Sequence, residues 1–180
     1  MPGTRKRRTV GAVKRTPPKP RAPVLAWWLA SWFGSGFSPW APGTAGTLAS
    51  LPLVAYLGLY WAPLGPWNPW CFLAALVLFY PAVTAASAVE AQLGRHDPGV
   101  VVVDETLGTL LTAAFVPASA FHSPLFYVIV FFLFRLLDIW KPGFIGQSQA
   151  LPGGWGIVVD DVLAGLVGGL LLGAFWIFYF

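Results

Sequence analysis

Gly153-Gly154-Trp155-Gly156-Ile157-Val158-Val159-Asp160-Asp161-Val162-Leu163-Ala164-Gly165 places two adjacent carboxylates at the head of an apolar run with no further charge up to Phe180. A run of that length is sufficient for a helix to cross a bilayer. Carboxylates at the mouth of such a helix are expensive to keep and mark a functional position. Neighbouring side chains on a helix point about 100° apart. Asp160 and Asp161 can therefore serve different partners, and something cationic has to offset them.

The rest of the chain has the same character. Charged residues make up 10% of it and aromatic residues 16%, and residues 22–89 contain no Asp, Glu, Lys or Arg. Soluble folds carry roughly a quarter charged residues. The pattern predicts an all-α, polytopic integral membrane protein with four to five membrane helices, two of them short. The net charge of +4 hides a division, because eight of the eleven basic residues lie within residues 1–21. Beyond them, seven acids face only Arg95, Arg135 and Lys141.

Residues 1–24, basic and Pro-rich, are expected to be a disordered cytoplasmic tail. Its charge acts as a topology signal, with attraction to anionic headgroups as a second role. Residues 25–180 are expected to form one membrane-embedded domain. No small-residue cleavage site follows a short apolar core, so a secretory leader is not expected. Cys71 is the only cysteine, which excludes an intrachain disulfide and a thiolate metal site. Nothing in the pattern points to a nucleic-acid partner, and the oligomeric state is not encoded in it.

Trp27, Trp28, Trp32, Phe33 and Phe37 suggest an interfacial segment. Residues 34–47, rich in Gly, Ser, Thr and Pro, read as an irregular loop that opens into an apolar helix over about residues 48–61. Backbone amides at Gly43, Thr44, Gly46 and Thr47 can receive a phosphate there. The plainer reading is a membrane-entry turn whose small residues permit close packing. Pro63, Gly65, Pro66 and Pro69 mark an uncharged outer loop. A second span follows over 70–89, with Pro81 inside it. A third helix over 100–116 carries Asp104 and Glu105 in its first turns. Pro117, His122 and Pro124 form another outer turn, and residues 125–140 a fourth span. A Gly-rich loop over 142–156 leads to the last span, which begins near Ile157. With the tail in the cytoplasm, the charge clusters at 90–105, 135–141 and 160–161 all fall on the cytoplasmic side. The other side holds only His122.

Asp104, Glu105, Asp138, Asp160 and Asp161 can converge on this topology, and they are the metal and catalytic candidates. Asp104, Glu105, Asp160 and Asp161 are the expected metal ligands. A hard divalent cation such as Mg²⁺ suits oxygen donors and needs few carboxylates when a substrate phosphate completes its shell. His96, Arg135 and Lys141, with Arg95 nearby, lie on the same face and suggest a phosphate ester as substrate. Two plainer readings stand beside this one. Helix-end carboxylates can simply be solvated in the headgroup layer, and Arg135 can pair with Asp138 three residues on. Three acidic positions on one face, with too few bases to neutralise them, favour the metal.

Four blocks carry a family resemblance. Gly34-Ser35-Gly36-Phe37-Ser38-Pro39 with Ala41-Pro42-Gly43-Thr44-Ala45-Gly46-Thr47-Leu48-Ala49-Ser50 resembles the N-terminal signature of the phosphatidylglycerophosphatase A family. His96-Asp97 followed by Val103-Asp104-Glu105-Thr106-Leu107-Gly108 is similar to its second block. Phe134-Arg135-Leu136-Leu137-Asp138-Ile139-Trp140-Lys141-Pro142 is similar to its third, and the 153–165 stretch to its fourth. The resemblance implies a Mg²⁺-dependent hydrolase of the bacterial inner membrane. It would be multi-pass and would convert the phospholipid phosphatidylglycerophosphate to phosphatidylglycerol and phosphate. Where the family follows Lys-Pro with Trp-Pro-Ile and a charged stretch, this chain has the uncharged residues 143–152, which bears on headgroup contacts and substrate preference.

In-line attack by a metal-activated water is the expected chemistry, with an Asp nucleophile and a covalent phosphoryl intermediate as the other route. Two rival functions remain: a phosphatase for a different lipid phosphate, and a non-catalytic transporter or assembly subunit. The sequence shows no internal repeat, and its acids gather at one face rather than mid-membrane, which weighs against transport.

Overall fold

A computed structural model describes residues 21–61 and 67–179. The charged tail up to residue 20, and Pro63, Gly65 and Pro66 of the expected outer loop, lie outside the described residues. Among the described residues there are seven α-helices and no strands. They are α1 (Val24–Ala30), α2 (Pro42–Tyr60), α3 (Pro69–Leu93), α4 (Val103–Thr112), α5 (Pro124–Trp140), α6 (Phe144–Ser148) and α7 (Gly154–Tyr179). Short 3₁₀ turns at Ser35–Phe37 and Ala118–His122 complete the set.

Two helices, Pro69–Leu93 and Gly154–Phe178, are long and apolar enough to cross a membrane. Their outward faces are apolar. Leu76, Val77 and Tyr80 on α3, Leu170, Leu171, Ile177 and Phe178 on α7, and Phe132, Leu136 and Ile139 on α5 are all exposed. A soluble bundle places polar residues there instead. Neither α2 nor α5 meets the same test, so the expected count of four to five spans is not established.

Helix α4 is the central element. Every one of its ten residues is buried. At 1.5 Å per residue it is only about 15 Å long, well short of the 100–116 helix expected from sequence. Its buried hydroxyls are satisfied internally: Thr109 Oγ1 donates to the Glu105 carbonyl (2.6 Å), Thr112 Oγ1 to the Gly108 carbonyl (2.9 Å), and Ser50 Oγ of α2 to Thr106 Oγ1 (2.7 Å). The backbone on either side is tied to its neighbours. Val102 N donates to the Ala30 carbonyl (2.8 Å), and Asn68 N to the Ala114 carbonyl (2.7 Å). Irregular backbone inside an apolar bundle is tolerated when protein groups satisfy it in this way.

Helices α4 and α7 approach at Gly108 and Gly165. A methyl group on Gly165 would run into the Gly108 backbone, and one on Gly108 would meet the Phe134 ring and the Asp161 carbonyl. This contact brings the start of α7 alongside the start of α4, and with it Asp161 beside Asp104 and Glu105.

Helix α2 begins at Pro42, six residues before the expected start. Proline is favoured in the first turn of a helix because its missing N–H would be unpaired there anyway. The glycines that suggested a loop are packing positions. Gly46 lies against Val102, and Gly58 against the Phe121 ring.

Candidate active site

The site lies at the end of the bundle where α2, α4 and α7 begin and α5 ends. A cavity of about 180 Å³ opens there, lined by Pro42, Gly43, Asp97, Gly99, Val101, Asp104, Glu105, Arg135, Asp138, Lys141, Asp160 and Asp161. Each element delivers its residues for a local reason. Asp104 and Glu105 occupy the first turn of α4, where the helix dipole favours negative charge. Asp160 and Asp161 sit in the second turn of α7. Arg135 and Asp138 share one face in the last turns of α5. Pro142 opposes continuation of α5, since a residue before proline is pushed out of the helical region. Lys141 caps the helix in a left-handed conformation (φ 46°), its amide donating to the Leu137 carbonyl at 2.8 Å, and its side chain reaches α7.

The five carboxylates are nearly buried, from 2% exposed at Asp160 to 9% at Glu105. Three of them, Glu105, Asp138 and Asp160, pair with two cations. Arg135 Nη1 donates to Asp138 Oδ2 at 2.5 Å and lies 3.7 Å from Glu105 Oε1. Lys141 Nζ donates to Asp160 Oδ2 and lies 3.6 Å from Asp138 Oδ1. Burial works to lower the Lys141 pKa, but its hydrogen bond to Asp160 and the surrounding carboxylates outweigh burial and raise it above the usual lysine range. Lys141 stays charged.

Two cations do not satisfy five carboxylates. Asp104 Oδ1, Glu105 Oε2 and Asp160 Oδ1 are buried without a hydrogen-bond partner. Asp104, Glu105 and Asp161 each offer an oxygen within 4.8 Å of the other two. Unpaired buried carboxylate oxygens are strongly unfavourable, and hard oxygen donors set this close suit a divalent cation such as Mg²⁺.

Not every expected residue reaches the cavity. All five candidate carboxylates line it, with Arg135 and Lys141. His96 does not. It is exposed, and its Nδ1 pairs with Glu90 Oε1 at 2.6 Å. Of the expected amide cradle, only Gly43 is at the cavity wall, where a side chain would collide with Glu105 Oε1 and the Arg135 guanidinium. Thr44 is half-buried in the first turn of α2, away from the wall. Thr47 Oγ1 donates to the Gly43 carbonyl (2.9 Å), and Gly46 packs on Val102. The residue missed in sequence is Asp97, next to His96, which lines the cavity in a left-handed conformation (φ 45°).

Fold and site together define a class: an apolar helical protein with a buried, carboxylate-rich chamber at one end and two cations set into its wall. The phosphatidylglycerophosphatase A family model matches residues 28–176, a segment containing every residue of the chamber. A phosphatidylglycerophosphatase A of Escherichia coli is 34% identical over 143 residues, covering 77% of this chain and 76% of its own. The Haemophilus influenzae protein of the same name is 34% identical over 143 residues, with coverage of 77% and 80%. A protein of Bacteroides thetaiotaomicron, named as a candidate phosphatidylinositol-3-phosphatase, is 40% identical over 154 residues, with coverage of 83% and 91%. No solved structure matches the chain. The chain belongs to the phosphatidylglycerophosphatase A family and is a phosphoric monoester hydrolase.

Proposed function

We propose that the protein hydrolyses phosphatidylglycerophosphate to phosphatidylglycerol and inorganic phosphate, with Mg²⁺ held by Asp104, Glu105, Asp160 and Asp161. The observation that carries this reading is the set of buried carboxylate oxygens without partners, facing the same cavity as Arg135 and Lys141. A transporter subunit has no need of that combination, whereas a phosphate monoester needs both parts.

Arg135 and Lys141 bind the phosphoryl oxygens and hold the phosphorus over the carboxylates. Gly43, having no side chain, lets the first turn of α2 close the chamber against Glu105 and Arg135. Water attacks in line with the leaving glycerol oxygen. One oxygen of Asp104 would hold the cation and the other takes the water's proton, which passes to the leaving glycerol oxygen as the phosphorus–oxygen bond breaks. A bound divalent cation would polarise the phosphoryl group and make the attacking water more acidic. Asp138, between Arg135 and Lys141, orients both cations.

The setting we propose is the bacterial cytoplasmic membrane, with the chamber on the cytoplasmic face and the acyl chains remaining in the bilayer. The two long apolar helices and the apolar outer surface support it. Reaching four spans requires α2 and α5 to cross as well. They have 19 and 17 residues, short for a core of about 30 Å unless the bilayer thins or flanking residues adapt.

A second substrate, a phosphorylated inositol lipid, is favoured by one observation. The relative named for that activity is 40% identical to this chain. Comparing kcat/KM for phosphatidylglycerophosphate and phosphatidylinositol-3-phosphate on purified protein in mixed micelles decides between them. We expect the glycerophosphate lipid to be preferred. Preference for the inositol lipid would overturn the substrate assignment and leave the phosphatase intact.

A further inference from the structure

Asp97 differs from every other carboxylate of the chamber. The others are buried, whereas Asp97 lines the cavity from an exposed position and, like Asp104 and Asp161, makes no ion pair among the described residues. It also sits in a left-handed conformation (φ 45°), which a residue other than glycine adopts infrequently. The turn that carries it is braced on both sides. His96 pairs with Glu90, Pro98 is buried, and Val101 N donates to the Pro98 carbonyl at 2.8 Å. Backbone held in a sparse region next to a site points to a side chain with a placement task.

The charge of Asp97 limits what it can contact. It repels a phosphoryl group and a phosphodiester alike, and it gains nothing from acyl chains. Among the groups of a bound phosphate monoester lipid, what remains for a carboxylate to bind is a neutral hydrogen-bond donor, and the donor nearest to a phosphate monoester on a polyol is the polyol's own hydroxyl. Resting on the lipid-phosphatase reading above, we propose that Asp97 is a specificity-determining residue that accepts a hydrogen bond from the free hydroxyl of the substrate's leaving glycerol. A site built to bind a hydroxyl discriminates strongly against the analogue that lacks it.

The test uses two lipids that differ by one oxygen: phosphatidylglycerophosphate, and the analogue in which 1,3-propanediol replaces the headgroup glycerol. Phosphate release by the purified full chain is measured for wild type, Asp97→Gly and Asp97→Asn. Glycine accepts the left-handed conformation and removes the acceptor, while asparagine tolerates it and keeps a neutral acceptor. Thermal unfolding checks that both variants are folded. For wild type, KM should be about tenfold higher for the propanediol lipid, the size expected for one charged hydrogen bond. Asp97→Gly should raise KM for the natural lipid to that level, leave KM for the analogue unchanged and alter kcat by less than about twofold, and Asp97→Asn should recover part of the loss. Equal losses on both lipids, no loss on either, or a shifted Mg²⁺ requirement would overturn the assignment, the last by making Asp97 part of the cation site. Wild type that releases phosphate from neither lipid would instead remove the phosphatase reading, and this inference with it.

Discussion

Asp160 and Lys141 show how the chamber keeps its charges. Asp160 is 2% exposed, and Lys141 is its direct partner. Replacing Lys141 with Met leaves that carboxylate buried beside Asp138 and Asp161 without its cation. Breaking such a pair from one side costs roughly 3 kcal/mol, so Lys141→Met should lower the unfolding midpoint in detergent clearly. Its phosphatase activity should fall about 100-fold or more, the scale of losing one charge-stabilising donor. The exposed His96–Glu90 pair titrates in the opposite sense to a carboxylate salt bridge. Its hydrogen bond to Glu90 raises the His96 pKa above 6.5. The stabilisation is complete below the unfolded histidine's pKa and is lost as pH rises through the folded value. The unfolding midpoint of wild type, measured against that of His96→Gln, should lose its advantage as pH rises through the raised histidine pKa. At this scale the sequence was legible where chemistry alone selects residues: the acids and the two helix-borne cations all reach the cavity. It was not legible at His96 and Asp97. Two polar neighbours in a Gly-Arg-His-Asp-Pro turn give no periodicity to say which faces inward, and a left-handed φ at Asp97 decides it.

Among the elements, the α4–α7 contact sets the geometry of the site, because Asp161 reaches Asp104 and Glu105 only if the two helices touch. Gly165→Val would force them apart at the Gly108 backbone. Overpacking of this kind costs about 1–3 kcal/mol. The expected outcome is a lowered unfolding midpoint together with an activity loss larger than the stability change explains, seen by assaying well below the midpoint. Helices dominated by apolar length were readable: α5 spans Pro124–Trp140 against an expected 125–140, and α3 spans Pro69–Leu93 against 70–89. The start of α2 was not. Pro42, Gly43 and Gly46 look like loop residues by composition, yet proline serves as a first-turn residue and the glycines make room for Glu105, Arg135 and Val102. The ends of α4 were overextended because its flanks are as apolar as its helix. What stops it there is tertiary hydrogen bonding to Ala30 and Asn68, which no local pattern displays.

For the whole molecule, the distribution of charge is the organising fact. The carboxylate chamber sits at one end of the bundle and His122 at the other, as the spacing of charges along the chain implied. A reagent that labels cysteines from one side of a sealed vesicle tests the proposed orientation, on single-cysteine variants made in a Cys71→Ser background. A cysteine at Gln149, beside the chamber end, should react only from the cytoplasmic side, and one at Ser119 only from the other. The central claim is that the converging carboxylates hold a divalent cation that hydrolysis of the lipid phosphate requires. The most direct measurement is phosphate release from phosphatidylglycerophosphate by purified protein as Mg²⁺ is titrated, for wild type, Asp104→Asn and Asp160→Asn. The account predicts release that needs Mg²⁺ in wild type and falls by at least about 100-fold in both folded variants. Full activity in chelator, or folded variants as active as wild type, would contradict it.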